Sequence, residues 1–283
     1  MKAKRKQPGL TLTEMTVVIM TIVILLGLGL PAIRALLASF ESQSSTTSMI
    51  SAALASARAI AAKNQRYAGI RFQKANQAQD PLQAAQYMIF VVQDPDMMAY
   101  GFRAVQGLRP IRLPDSVGVT DLTIVTNRNA TNPTNSVEVR LDDAGLSNPD
   151  ILIDENHELI DLTTFSILFS PSGKLVIHGI RVRNKDGQSD NSATISYDDV
   201  FNKKTQVDAA VGMFYQDDYF GAAWSSYANL GLGPEPSRSS FVIYEKKKFI
   251  QAYRKGRAWS DCLIKLMPDA IYINPYTGTI INQ

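Results

Sequence analysis

The hydrophobic pattern changes period along the chain. From Leu10 to Ile33, 24 residues carry a single charged side chain, Glu14, and are otherwise apolar apart from threonines, glycines and a proline. At about 1.5 Å rise per residue such a run makes roughly 36 Å of helix, enough to cross a hydrocarbon core of about 30 Å. A secretory apolar core is usually only about 7–15 residues, so the run predicts an anchor over a cleaved signal. Ala35-Leu36-Leu37-Ala38 only partly meets the small-residue cleavage rule. From residue 34 to about 64 there is neither proline nor glycine. Met49, Ile50, Ala53, Leu54, Ala57, Ile60 and Ala61 recur at three- and four-residue steps. This predicts a continued helix with one narrow stripe of small apolar residues, against which a sheet can pack closely.

After Asn64 the period drops towards two. "YAGIRFQ", "QYMIFVVQD", "FRAVQ", "IRLP", "LTIVT", "VEVRL", "FSILFS" and "KLVIHGIRVRN" are short β-rich stretches. Turn formers separate them at Asp94-Pro95, Leu113-Pro114-Asp115, residues 127–135 and Ser170-Pro171-Ser172-Gly173. No helical stretch among them is long enough for repeated crossovers, so antiparallel pairing is expected. The clearest hairpin is "FSILFSPSGKLVIHGIRV". Residues 186–283 read as loops, then "SFVIYEKKKFIQAYRKG" as two strands or a strand and turn, then a terminal hairpin around Pro275–Gly278. The expected fold class is α+β: a long N-terminal helix, membrane-spanning in its first half, packed by its second half on an antiparallel β-sheet head. The segments are a leader (1–9), a transmembrane helix (10–33), its amphipathic continuation (34–64) and a head (65–283).

Charge sharpens the first segment. The net charge is +3, yet Lys2, Lys4, Arg5 and Lys6 supply +4, leaving 25 Lys and Arg against 26 Asp and Glu, a balance of −1. The remaining chain has no global excess to attract phosphate. The leader charges place the N-terminus in the cytoplasm and the head outside. Pro8-Gly9 marks the helix start. Gly27, Gly29 and Pro31 weaken the second half of the run, since proline offers no N–H to the carbonyl four residues earlier and crowds it. There the helix can bend or unwind.

A basic leader ending in Gly9, followed by "LTLTEMTVVIMTIVILLGLGLPAI", resembles the N-terminus of type IV prepilins and type II secretion pseudopilins. The resemblance implies that a prepilin peptidase cuts between Gly9 and Leu10 and methylates the new N-terminus. Leu10 departs from the phenylalanine the family prefers there. Glu14 matches the family's glutamate and Pro31 a proline at which the helix unwinds in filaments. "LASARAIAAKNQRYAGIRF" and the Phe165–Val176 hairpin are similar to segments of the H-type minor pseudopilins and FimT-type minor pilins. The implied protein is a membrane-anchored, non-enzymatic filament subunit of the cytoplasmic membrane. Its partners are prepilin peptidase, other subunits and the bilayer.

The resemblance gives Glu14 a role. An acid inside a membrane costs about 2.5–3.5 kcal/mol and persists when it finds a partner. Cleavage would create an α-amine at Leu10, four residues and about 6 Å of rise away. A neighbouring subunit shifted along the axis could set its own amine against Glu14. The simpler role is a carboxylate favoured by the helix dipole, worth about 0.3–1 kcal/mol.

Enzymatic chemistry is not legible. There are two histidines, His157 and His178, and one cysteine, Cys262. No nucleophile elbow, P-loop, paired cysteines or HExxH is present. No cofactor or metal is expected. Asp154, Glu155 and Glu158 lack EF-hand spacing, Asp198-Asp199 and Asp217-Asp218 read as solvated pairs, and Cys262 reads as a small buried hydrophobe. Two alternatives remain. One is a DNA-binding minor pilin of a competence pilus, because Lys246, Lys247, Lys248, Arg254, Lys255 and Arg257 interleave with Tyr244, Phe249 and Tyr253. Nucleic acid is not the favoured partner, since the balance is −1 and the C-terminus lacks a basic tail. The other is an unrelated anchored or secreted β-protein.

Overall fold

The structure is a computed structural model of the whole chain. It describes residues 12–75, 81–94, 101–126, 137–143, 145–153, 159, 162–182, 200–202, 213–215 and 235–281, without the side chains of 12, 14, 22–43, 125, 126, 137 and 215. Two compact units are present, residues 1–44 and 45–283. Helix α1, Leu12–Asn64, supplies the described part of the first unit and enters the second at Ser45.

The second unit is built of short strands. Their ranges are β1 Ala68–Lys74, β2 Gln86–Gln93, β3 Gly101–Ala104, β4 Ile111–Arg112, β5 Val117–Thr120, β6 Thr123–Thr126, β7 Val137–Arg140, β8 Phe165–Phe169, β9 Leu175–Val176, β10 Gly179–Val182, β11 Phe201–Asn202, β12 Phe214–Tyr215, β13 Glu235–Pro236, β14 Ser240–Glu245, β15 Ile271–Ile273 and β16 Ile280–Ile281. The largest sheet runs β13-β10-β3-β2-β1-β8-β9, with β4 also on β2. A second sheet runs β16-β15-β14-β5, and β6–β7 and β11–β12 form ribbons.

The two-residue period of the strands explains how the large sheet is covered on both faces. Ile70 and Phe72 of β1, Met88 and Phe90 of β2, and Phe165, Ile167 and Phe169 of β8 share a core with Ile50, Ala53, Leu54, Ala57 and Ala61 of α1. Phe72 stacks on Phe165 at 4.7 Å between centroids. Ile89, Val91, Phe102, Leu168, Ile180, Val182, Phe201 and Phe214 fill a second core. The alanines on α1 let its backbone lie close to the sheet. Gly69 does the same between strands: a Cβ there would lie 2.0 Å from the carbonyl oxygen of Ile167.

A third core lies around Tyr244, Phe249, Trp259, Cys262 and Leu263, with Leu122, Ile124, Leu141, Leu159 and Leu162. It is capped by helix α2, Pro149–Leu152, and helix α3, Lys246–Tyr253. Two further helical turns follow at Ala258–Cys262 and Leu263–Asp269. Asp150 Oδ1 accepts from the backbone N–H of Trp259 (2.7 Å) and Ser260 (3.2 Å), capping the first of these. The "SFVIYEKKKFIQAYRKG" segment is therefore β14 followed by a helix, not two strands.

Two expectations of the fold class are corrected. The head is mixed, not antiparallel: β10 lies parallel to β3, and β11 parallel to β12. A parallel pair needs a long crossover, and the connection from β3 to β10 is built from β4 to β9 and the short α2 instead of one long helix. The absence of long helical stretches was thus no argument for a purely antiparallel sheet. The membrane-spanning first half is also corrected, because among the described residues no helix is long and apolar enough to cross a membrane.

Candidate functional site

The first described turns of α1 expose Met15, Val17, Val18, Ile19 and Met20, each between 48% and 64% accessible. Successive helical residues are about 100° apart, so these five side chains surround the helix. Thr21 turns its hydroxyl inward, Oγ1 donating to the carbonyl of Val17 at 2.7 Å, which satisfies a polar group on an apolar surface. Glu14 lies in this part of α1. Gly27, Gly29 and Pro31 also lie within α1, whose backbone is helical through all three. Gly9 and Leu10 lie outside the described residues, as does the basic leader.

Farther along, α1 has two different faces. Ile50, Ala53, Leu54, Ala57 and Ala61 are buried, while Ser48, Ser51, Ala52, Ala55, Ser56, Ala59 and Ala62 are exposed. Thr47, Ser48, Ser51, Ala52 and Ala55 line a shallow groove with Ile280 of β16. Both faces are small, so this part of the helix can be approached closely from the sheet side and from outside.

Sequence reading missed a buried polar network that ties residues 235–238 to the sheet. Arg71 lies on the face of β1 opposite Ile70 and Phe72 and is 2% exposed. Its Nη1 donates to Glu235 Oε1 and to Ser166 Oγ (3.2 Å), and its Nε to Gln73 Oε1 (2.8 Å). Arg238 donates to Asp121 Oδ2 (2.6 Å) and Glu138 Oε2 (3.0 Å). Its backbone N–H reaches the Ser166 carbonyl at 2.7 Å. Burial pushes the Glu235 carboxyl up to about 7 against the pull of Arg71, and that of Asp121 up to about 6 against the pull of Arg238. Desolvation opposes the charge of Arg238, but the attraction of Asp121 and Glu138 outweighs it and raises the guanidinium above its ordinary value. Partners 95 to 164 residues apart leave no local signal in a sequence.

The remaining candidates divide between core and surface. Tyr244 and Phe249 are buried in the core, and Tyr253 is half-buried against Phe249 at 6.0 Å between centroids. Lys246 is buried as well and donates from Nζ to the carbonyl of Ala84 at 3.1 Å; desolvation lowers its pKa. Lys247, Lys248, Arg254, Lys255 and Arg257 are exposed. Cys262 is buried, and burial raises its thiol pKa, which disfavours a reactive thiolate. His178 sits against Tyr67 at 4.5 Å between centroids, and its Nδ1 is 2.6 Å from the carbonyl of Gly179. Among the described residues no three His, Cys, Asp or Glu side chains come together as a metal site. Asp154, Glu155, His157, Glu158, Asp198, Asp199, Asp217 and Asp218 lie outside the described residues.

No known protein family, curated protein or solved structure matches this chain.

Proposed function

We propose that this chain is a minor subunit of a type II secretion pseudopilus or a type IV pilus. It is made as a precursor, cut between Gly9 and Leu10 by a prepilin peptidase, and assembled with other subunits through the N-terminal part of α1. The carrying observation is the ring of exposed Met15, Val17, Val18, Ile19 and Met20. A helix that is apolar all round is stable only when surrounded, and one face of a single neighbour cannot cover every side. A bundle of like helices can. The leader charges Lys2, Lys4, Arg5 and Lys6 support a site of synthesis at the cytoplasmic membrane with the head outside. The role is assembly rather than catalysis.

The deciding measurement is mass spectrometry of the N-terminus after purification from cells that contain a prepilin peptidase. A chain beginning at methylated Leu10 is expected. An intact Met1, or a start at Ser39, overturns the reading.

A further inference from the structure

Charge in the second unit is unevenly distributed. Residues 245–269 hold seven Lys and Arg against three Asp and Glu, a balance of +4. Residues 45–244 hold 17 against 21, a balance of −4. The positive segment is one compact piece of structure: α3, the turn at Gly256 and the two helical turns over 258–269, all packed on the core around Tyr244. Its exposed side carries Lys247, Lys248 and Gln251, then Arg254, Lys255 and Arg257, then Lys265. Lys248 of α3 and Lys265 of the last helical turns both lie near Cys262.

Two of these cations are partly neutralised. Lys248 Nζ is 2.7 Å from Glu245 Oε2, and Arg257 Nη2 is 3.1 Å from Asp261 Oδ1. Lys247, Arg254, Lys255 and Lys265 form no ion pair among the described residues. Beside Lys265 the apolar side chain of Ile264 is 46% exposed.

We propose that this basic face docks on the lipid phosphates of an anionic bilayer surface. Lys and Arg supply a delocalised attraction to headgroups, each contributing where it reaches the surface. An exposed isoleucine among them suits the apolar boundary below the headgroups. Single-stranded nucleic acid would call for exposed aromatic platforms, but Tyr244, Phe249 and Trp259 are buried and Tyr253 is half-buried against Phe249. The inference needs only an anionic lipid surface and does not rest on filament assembly.

The test uses the full chain and two vesicle types, phosphatidylcholine alone and phosphatidylcholine with an equal part of phosphatidylglycerol. The exposed apolar turns of α1 should contribute equally to both, so the readout is the ratio of the two partition coefficients. Lys247→Gln, Arg254→Gln, Lys255→Gln and Lys265→Gln combined should lower that ratio by about tenfold or more and flatten its salt dependence. The leader charges are the same in both proteins and do not account for the difference. Ile264→Ser should weaken partition into anionic vesicles with the salt slope unchanged. A milder pair, Lys247→Gln with Lys255→Gln, should give an intermediate loss. A ratio unchanged in the fourfold variant overturns the proposal. So does a fourfold variant that loses binding to single-stranded DNA while keeping its vesicle ratio, since the face would then serve nucleic acid.

Discussion

Arg58 Nη1 donates to the carbonyl oxygen of Thr277 at 2.6 Å, joining α1 to the turn between β15 and β16. The same side chain lies under two glycines with left-handed backbone. A Cβ added at Gly173 (φ 76°) would sit 2.8 Å from Arg58 Nε, and one at Gly278 (φ 68°) would sit 2.8 Å from a ring carbon of Phe169. The Leu175 N–H also reaches the Pro275 carbonyl at 2.9 Å, so the β8–β9 turn and the terminal hairpin close together over the helix.

Arg58→Ala should therefore cost about 1–2 kcal/mol, the scale of a partly exposed hydrogen bond from a charged donor. The loss should be concentrated in the terminal hairpin. Urea unfolding gives the total, and hydrogen exchange at residues 271–281 locates it. Unchanged protection there would mean that Thr277 is held by other contacts.

Gly278→Ala should be worse than Arg58→Ala, because it combines a strained φ with a Cβ against Phe169. Gly69→Ala should be worse again. Its Cβ would meet the Ile167 carbonyl at 2.0 Å, and backbone in mid-sheet cannot yield as a side chain can. A loss at the upper end of the about 1–3 kcal/mol usual for overpacking is expected, seen as a lower urea midpoint. A Gly69→Ala protein as stable as the parent would show that β1 and β8 can separate without penalty.

Gly118 shows why part of this fold was hard to read. It sits inside β5, where a Cβ would lie 2.3 Å from the ring of Tyr244, so a fully buried tyrosine requires the glycine. In the sequence, "VGVT" has too few side chains to show a strand period, and β5 was missed. α3 was misread for a different reason. The apolar run Phe241–Tyr244 reads as a strand and the basic stretch after it as a second strand or a turn, although Phe249, Ala252 and Tyr253 stand three and four residues apart. The strands β1, β2 and β8 and the small-residue stripe of α1 were legible because their periods are long and their neighbours contrast. The Arg71–Glu235 contact had no such signal, as nothing local distinguishes those two residues from solvated ones.

Burial gives Glu235 a pH signature. Its carboxyl is raised to about 7 in the folded chain, above an ordinary unfolded value of about 4.3. The fold thus binds this proton more tightly than the unfolded chain does. The stability it contributes is fully present below about pH 4.3 and is lost as pH rises through about 7, on the order of 3 kcal/mol. Asp121, raised to about 6, acts in the same direction over a slightly lower window. Glu235→Gln should remove most of the slope between pH 5 and 7 in urea midpoints, and Asp121→Asn a smaller part. A wild-type midpoint that rises with pH over that interval would mean that the pull of Arg71 outweighs desolvation.

The assembly reading separates into two steps that different substitutions should block. Gly9→Val places a branched side chain at the position the resemblance assigns to peptidase cleavage, so it should leave uncut precursor carrying Lys2, Lys4, Arg5 and Lys6. Glu14→Leu leaves that position intact. It should be cut and methylated normally, and then fail to enter filaments, because the carboxylate that would pair with a neighbour's α-amine is gone. Immunoblots for size and sheared-filament fractions for entry distinguish the two. If the Glu14→Leu subunit enters filaments as the parent does, Glu14 retains only its interaction with the helix dipole, worth about 0.3–1 kcal/mol. The exposed Met15–Met20 ring would then have to select its neighbours by apolar packing alone.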